Sequence, residues 1–137
     1  MINKILVVDD HKVVRYMINQ YLNKVKVCNS IYVASNLGEA KEIILSENPE
    51  IILLDINLGD ENGIDLVRSV QFGHQTGRFI ILSMLTDECL VKEAFRLGAS
   101  GYVSKYASFF ELQFAVETVS RGNKYISTDI KMNAIPV

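Results

Sequence analysis

Residues Ile51–Gly63 read Ile-Ile-Leu-Leu-Asp-Ile-Asn-Leu-Gly-Asp-Glu-Asn-Gly, and no other stretch restricts the fold as strongly. Four apolar residues run straight into Asp55, and a polar loop containing Gly59 and Gly63 follows. An apolar run this short, bounded by turn signals, predicts a strand buried on both faces. Such a strand belongs inside a parallel sheet with helices on each side. Asp55 then stands at the carboxyl end of the strand, where ligands of open α/β sheets bind. An acid there can reach a metal or a phosphate, although many strands simply end in a polar residue.

The rest of the chain repeats the pattern. Ile5-Leu6-Val7-Val8, within Lys4–Asp10, is a first strand ending in Asp9-Asp10. Val13, Val14, Met17, Ile18, Tyr21 and Leu22 form an apolar stripe that predicts a helix over about His11–Asn23. A strand is expected around Ser30–Ala34. A helix then begins at the N-cap Asn36 and carries Leu37, Ala40, Ile43 and Ile44. Pro49 closes that helix and introduces the Ile51 strand. Ile64, Leu66, Val67 and Val70 predict a short helix closed by Gly73, and Arg78–Leu82 a fourth strand ending at Ser83. Asp87 is a candidate N-cap for a helix that ends before Gly98, where glycine readily takes a positive φ. Gly101–Ser104 is a short fifth strand followed by Lys105. Ser108 is the candidate cap of a last helix, with Leu112, Ala115, Val116 and Val119 inward and Gly122-Asn123 at its end. The tail from Lys124 is polar and mixed, and Pro136 argues against a long closing helix. Strand and helix alternate five times, so the fold class is α/β, with a parallel sheet covered on both faces by right-handed crossovers.

Composition narrows the function classes. With 137 residues, 49% hydrophobic and 22% charged, the chain suits one globular domain. Its formal net charge of −2 and the lack of a basic run argue against a nucleic-acid surface of its own. No apolar stretch is long enough to span a bilayer, and the N-terminus turns acidic too early for a signal peptide. Cys28 and Cys89 have no metal-ligand spacing, so reduced thiols that serve packing, in the cytoplasm, are expected.

The polar strand ends carry the chemistry. A parallel sheet puts Asp9, Asp10, Asp55, Ser83 and Lys105 on one rim. Three carboxylates would bring about −3 into one cleft, and their repulsion would raise at least one pKa. A hard divalent cation relieves this. Mg²⁺ takes oxygen ligands at roughly 2.0–2.1 Å and leaves room for a phosphoryl oxygen. Lys105 adds a further positive charge. Asp55 is the candidate nucleophile, since carboxylates form acyl phosphates. Ser83 can donate to a phosphoryl oxygen, and a new phosphate pulling on it would shift the loop leading to Asp87.

This ordered set resembles the receiver domains of two-component response regulators. The resemblance covers about Lys4 to Gly122 and rests on Asp9-Asp10, on Asp55 in Leu-Leu-Asp-Ile-Asn-Leu, on Gly63, on Ser83 after Phe-Ile-Ile-Leu, and on Lys105 in Gly-Tyr-Val-Ser-Lys. It implies a flavodoxin-like, doubly wound, five-stranded parallel sheet of order 2-1-3-4-5. It further implies that Asp55 accepts a phosphoryl group from a sensor histidine kinase or phosphotransfer protein. Mg²⁺ would be held by the Asp10 and Asp55 side chains, by Asp9 directly or through water, and by the Asn57 backbone carbonyl. Ser83 and Lys105 would contact the phosphoryl group, and Tyr102 would be the aromatic switch that turns inward as Ser83 moves. The family is not enzymatic beyond its own phosphotransfer and autodephosphorylation.

There are departures from the family pattern. Tyr106 stands where members often carry a cis proline after the lysine, and Gly59 replaces a proline four residues after the acceptor. The ending around Arg121–Ser127 is similar to the subfamily whose receivers precede a helix-turn-helix DNA-binding domain. Residues 1–122 are therefore expected to form the receiver, and residues 123–137 a tail or linker toward an output domain outside this chain. A stand-alone receiver acting by protein contacts is the alternative, and a homodimer is left open.

Other readings are weaker. A Mg²⁺-dependent aspartyl phosphohydrolase needs a second acid two residues after the nucleophile, and Asn57 stands there. A flavin-type cofactor binder needs a phosphate cradle after the first strand, where Asp9-Asp10 would repel it. His11 is near the acids but unsuited to a hard-oxygen site. His74 has no evident partner. Phe109 and Phe110 are expected in the core, although one of two adjacent helical residues can face outward, where it would support a protein contact. Met84 and Leu85 are expected to narrow access to Asp55.

Overall fold

The computed structural model describes residues 2–71 and 77–132, so Gly73, His74 and Pro136 lie outside the described residues. In chain order the elements are β1 (Ile2–Val8), α1 (Lys12–Lys24), β2 (Cys28–Ala34), α2 (Leu37–Glu47) and β3 (Ile51–Asp55). A two-residue hairpin, β4 (Asn57–Leu58) and β5 (Glu61–Asn62), precedes α3 (Ile64–Gln71). Then come β6 (Arg78–Ser83), α4 (Glu88–Arg96), β7 (Gly101–Ser104), α5 (Phe109–Ser120) and β8 (Tyr125–Ile126).

Six strands form one sheet of order β2-β1-β3-β6-β7-β8, every pair parallel. Counting the five longer strands alone, this is the expected 2-1-3-4-5 order. The sixth strand was not foreseen. Two residues are too short to show a period, yet Tyr125 N donates to Ser100 O at 3.1 Å and Ser127 N to Tyr102 O at 3.0 Å. The tail, polar and mixed in sequence, also buries Ile130.

Alternation along each strand sorts the core into two layers. Leu6, Val8, Ile52, Leu54, Phe79 and Ile81 face α2, α3 and α4. Ile5, Val7, Ile51, Leu53, Ile80 and Leu82 face α1 and α5. All but Phe79 and Leu82 are at most 1% exposed, and burying each such side chain contributes about 1.5–3 kcal/mol. That burial pins the register, because a one-residue slip would exchange the two faces. Register then aligns the strand ends: Val8 pairs with Leu54, Asp55 with Leu82, and Ser83 with Ser104.

Caps delimit the helices largely as the sequence predicts. Asn36 Oδ1 accepts from Glu39 N at 2.9 Å, and Ser108 Oγ from Glu111 N at 3.1 Å. Asp87 occupies the N-cap position of α4 but makes no side-chain cap bond. α2 ends through Asn48 at φ 48°, one residue before Pro49. Cys28 is buried as expected, whereas Cys89 is exposed on α4, so only one of the two thiols serves packing. Among the described residues no helix is long and apolar enough to cross a membrane.

Gly63 is the tightest junction near the end of β3. A Cβ there would lie 2.4 Å from the Asp55 carbonyl oxygen and 3.1 Å from Ile56 Cα, and Gly63 N donates to Ile56 O at 2.7 Å. The opposing atoms are backbone and cannot turn aside. Gly63→Ala is expected to destabilise the fold by about 1–3 kcal/mol or more, measured by urea unfolding, and to disturb Asp55 at the same time.

Candidate functional site

The strand ends converge as the parallel topology requires. Asp9 and Asp10 follow β1, Asp55 ends β3, Ser83 ends β6, and Lys105 follows β7. Asp9, Asp55 and Ser83 are buried, while Asp10 is exposed at the mouth. The Lys105 Nζ lies 2.7 Å from Asp55 Oδ2 and 3.2 Å from Asp9 Oδ2. Its backbone amide donates to Ser83 O at 3.0 Å, which ties the lysine to the neighbouring strand. Asn57 N donates to the other Asp55 oxygen, Oδ1, at 3.1 Å, so both carboxylate oxygens are held.

His11 is drawn further into the site than its sequence position foretold. Its Nδ1 is 3.1 Å from Asp9 Oδ1 and 3.2 Å from Asp10 Oδ1, and its backbone amide donates to Asp9 Oδ1 at 2.8 Å. Arg15, one turn along α1, donates to the Asp9 carbonyl at 2.7 Å. Nothing in the sequence marks Arg15 for that role, because its helix stripe reads only as a solvated face.

Asp9, Asp10, His11 and Asp55 each present a ligand atom, all within 4.8 Å of one another. Three carboxylates against one ammonium leave two negative charges, which suits a divalent ion. The donors are mostly hard oxygens, so the set fits Mg²⁺ rather than a softer metal.

Burial raises the Asp55 pKa above the ordinary carboxylate range, the Lys105 bond pulls it back, and the nearby Asp9 charge raises it again. For Lys105, burial alone would lower the pKa, but the bond to Asp55 and the charges of Asp55 and Asp9 outweigh it. The amine therefore stays protonated.

Tyr102 is fully buried, and its hydroxyl donates to the Leu85 carbonyl. Leu85 N in turn donates to Ser83 Oγ at 2.9 Å. The tyrosine is thus inward and linked through two bonds to the hydroxyl at the end of β6. Burial pushes its phenol pKa up. Sequence reasoning paired Tyr102 with Ser83 but missed the Leu85 backbone between them, since no side-chain pattern reports a main-chain partner.

The family described as response regulator receiver domain matches residues 5–117. This chain belongs to that family. The receiver is similar to the oxygen regulatory protein NreC of Staphylococcus haemolyticus (strain JCSC1435), 30% identical over 130 residues, covering 94% of this chain and 59% of the relative. Sensory transduction protein LytR of the same organism is 36% identical over 132 residues, covering 96% of this chain and 50% of the relative. A solved LuxR-family two-component response regulator from Aurantimonas sp. SI85-9A1 superposes with a TM-score of 0.88 at 29% identity, covering 95% of this chain and 93% of that one. The receiver spans about half to three fifths of the length of these curated relatives.

Asp55 offers a sharp pH test. A carboxyl whose pKa is raised by folding contributes stability below its unfolded value, and that contribution is lost as pH rises through the folded value. At neutral pH the ionised Asp55 therefore works against folding. Asp55→Asn is expected to melt above the wild type at about pH 7 to 8, with the gap closing toward about pH 4. Thermal scans across that range check it; a gap that widens on acidification would contradict the assigned cause.

Proposed function

We propose that this receiver takes a phosphoryl group on Asp55 from a phosphohistidine of a sensor histidine kinase or phosphotransfer protein, and switches an output. The observation that carries the proposal is the Lys105 ammonium seated on both Asp55 and Asp9. Such a seat balances charge before the reaction and is ready to hold phosphoryl oxygens after it.

An Asp55 carboxylate oxygen attacks phosphorus in line with the scissile bond. The P–N bond breaks and its electron pair stays on that imidazole nitrogen, so a ring protonated on its other nitrogen leaves as neutral imidazole. With acetyl phosphate as donor, the P–O bond breaks and acetate leaves. Lys105 moves its ion pair from the carboxylate to a phosphoryl oxygen, and the Ser83 hydroxyl donates to another. Asp9, Asp10, Asp55 and the Asn57 carbonyl would hold Mg²⁺, which would supply positive charge to the transferring group. Turning Ser83 toward the phosphate disturbs the Leu85 amide it now accepts from, and with it the carbonyl that holds Tyr102. That chain of contacts supports Ser83 and Tyr102 as the switch pair.

An exposed apolar patch of Val13, Tyr16 and Met17 on α1, next to the acidic turn, supports a protein donor. Phe110, 73% exposed while Phe109 stacks on Tyr21, supports a second protein contact on α5, with a homodimer as one form of it. The similarity to the regulatory protein NreC and to a LuxR-family response regulator supports a transcriptional output, proposed to act through a DNA-binding output domain outside this chain; the receiver itself needs neither DNA nor membrane. The receiver unit is proposed over residues 1–122, with residues 123–137 leading toward the output, in the cytoplasm. No catalysis is proposed beyond self-phosphorylation and autodephosphorylation, since Asn57 cannot act as a general acid.

Incubation with acetyl phosphate and Mg²⁺ followed by intact-mass measurement tests the reading. Uptake of one phosphoryl group is expected, lost in Asp55→Asn and on chelation, and slowed on the order of a hundredfold in Lys105→Ala. Uptake that persists in Asp55→Asn would overturn it. Met84 and Leu85 are both exposed beside Ser83, and their bulk hinders water. Met84→Ala combined with Leu85→Ala is expected to shorten the lifetime of the acyl phosphate, read by the decay of the phosphorylated mass.

A further inference from the structure

β7 delivers Lys105, and the last amide of that strand has an unusual partner. Pairing with β8 ends at Tyr102 and Ile126. Past that point Ser104 N donates to the side-chain hydroxyl of Ser127 at 2.9 Å. Ser104 is 1% exposed, so this amide has no access to water, and Ser127 is equally buried. The Ser127 hydroxyl donates its single proton to Asp129 Oδ1 at 2.9 Å, which leaves its lone pairs to Ser104. Ser127 N donates to Tyr102 O, and Ile130 N to Ser127 O. Ser127 is therefore fixed at every polar atom.

The same segment is fastened to α5. Glu111 Oε2 accepts from the Tyr125 hydroxyl at 2.6 Å and from Thr128 N at 2.8 Å. Ser104 in turn organises the turn that carries the lysine: its hydroxyl accepts from Tyr106 N and its carbonyl from Ala107 N, each at 3.0 Å. The end of β7 is thus clamped from two sides, by Ser83 O on Lys105 N and by Ser127 Oγ on Ser104 N.

We propose that Tyr125–Asp129 is a positioning strap for phosphoryl acceptance, and that the Ser127 hydroxyl holds the end of β7 where Lys105 can reach Asp55. Ser127 touches no reacting atom and is a positioning residue. A displacement of about 1 Å at the carrier of the ammonium is enough to slow a transfer that depends on alignment. The coupling runs both ways. When the phosphoryl group draws Lys105 and Ser83, the pull reaches Ser104 and hence the strap, the segment that leads into the rest of the chain. The idea rests on Asp55 being the acceptor.

The test uses the whole chain with acetyl phosphate and Mg²⁺, comparing wild type, Ser127→Ala, Asp129→Ala and Ser127→Thr. Three quantities are read: the phosphorylation rate, exchange of the Ser104 amide by NMR, and the thermal midpoint. Ser127→Ala is expected to be phosphorylated about tenfold more slowly, with Ser104 exchange faster by about the same factor, the size of one lost hydrogen bond. Asp129 is exposed, so Asp129→Ala is expected to keep the wild-type midpoint while slowing phosphorylation in the same direction and to a smaller degree. Ser127→Thr, which keeps the hydroxyl, is expected to restore the rate. Addition of beryllofluoride and Mg²⁺ is expected to shift the Ser104 and Ser127 amide resonances in the wild type but not in Lys105→Ala. Wild-type phosphorylation rates in Ser127→Ala, or a midpoint loss with no change in the rate per folded molecule, would overturn the strap alone. A wild type that takes up no phosphoryl group would overturn the acceptor reading and the strap with it.

Discussion

Two buried carboxylates share one ammonium, and the rest of the site depends on that arrangement. Asp55 and Asp9 are 46 residues apart in sequence and almost fully removed from water. Left alone, each would be expensive to ionise and each would repel the other. Lys105 reaches both, at 2.7 and 3.2 Å. Its charge keeps the acids compatible with a folded core, and their charge keeps the amine protonated. Two negative charges remain, with exposed Asp10 at the mouth of the cleft. A pocket left with that excess favours a divalent cation, and a cation so held would offset the charge of an arriving phosphoryl group.

The sheet supplies the alignment that this contact needs. Burial of alternate residues against two helical layers locks the register of β1, β3, β6 and β7, so their carboxyl ends fall on one rim. The hairpin after β3 then presents the Asn57 amide to Asp55, and Gly63 lets the chain return close enough to the Asp55 carbonyl to make it possible. The acid and the hydroxyl are the last residues of strands that cannot slide, and the loops beyond them start from those ends. Loops so anchored can answer a local change in charge without loss of the core.

β7 is shorter than β1, β2, β3 and β6. It has four residues, and it must carry the lysine, the inward tyrosine and the turn into α5. Tyr102 binds the Leu85 carbonyl on one side of this strand, and Ser127 reaches the Ser104 amide on the other. A strand this short, held by its flanks, is well suited to pass a pull from the pocket outward, since few bonds within it must change. The exposed aromatic side chains of Tyr106 and Phe110 lie just beyond it.

The sequence by itself determined the five longer strands, the helices between them and the caps at Asn36 and Ser108. These features are local: an apolar run, a stripe or a capping side chain can be read within a few residues. It also determined which polar residues end the strands, because a parallel sheet leaves only one rim for Asp9, Asp10, Asp55, Ser83 and Lys105. Only the tertiary structure decided that β8 joins the sheet, that Arg15 and His11 bind around Asp9, that Cys89 faces solvent, and that Leu85 stands between Ser83 and Tyr102. The reason is physical. These contacts use main-chain atoms or lone side chains brought from distant segments, and neither carries a period or a motif; they exist once packing has set the distances and not before.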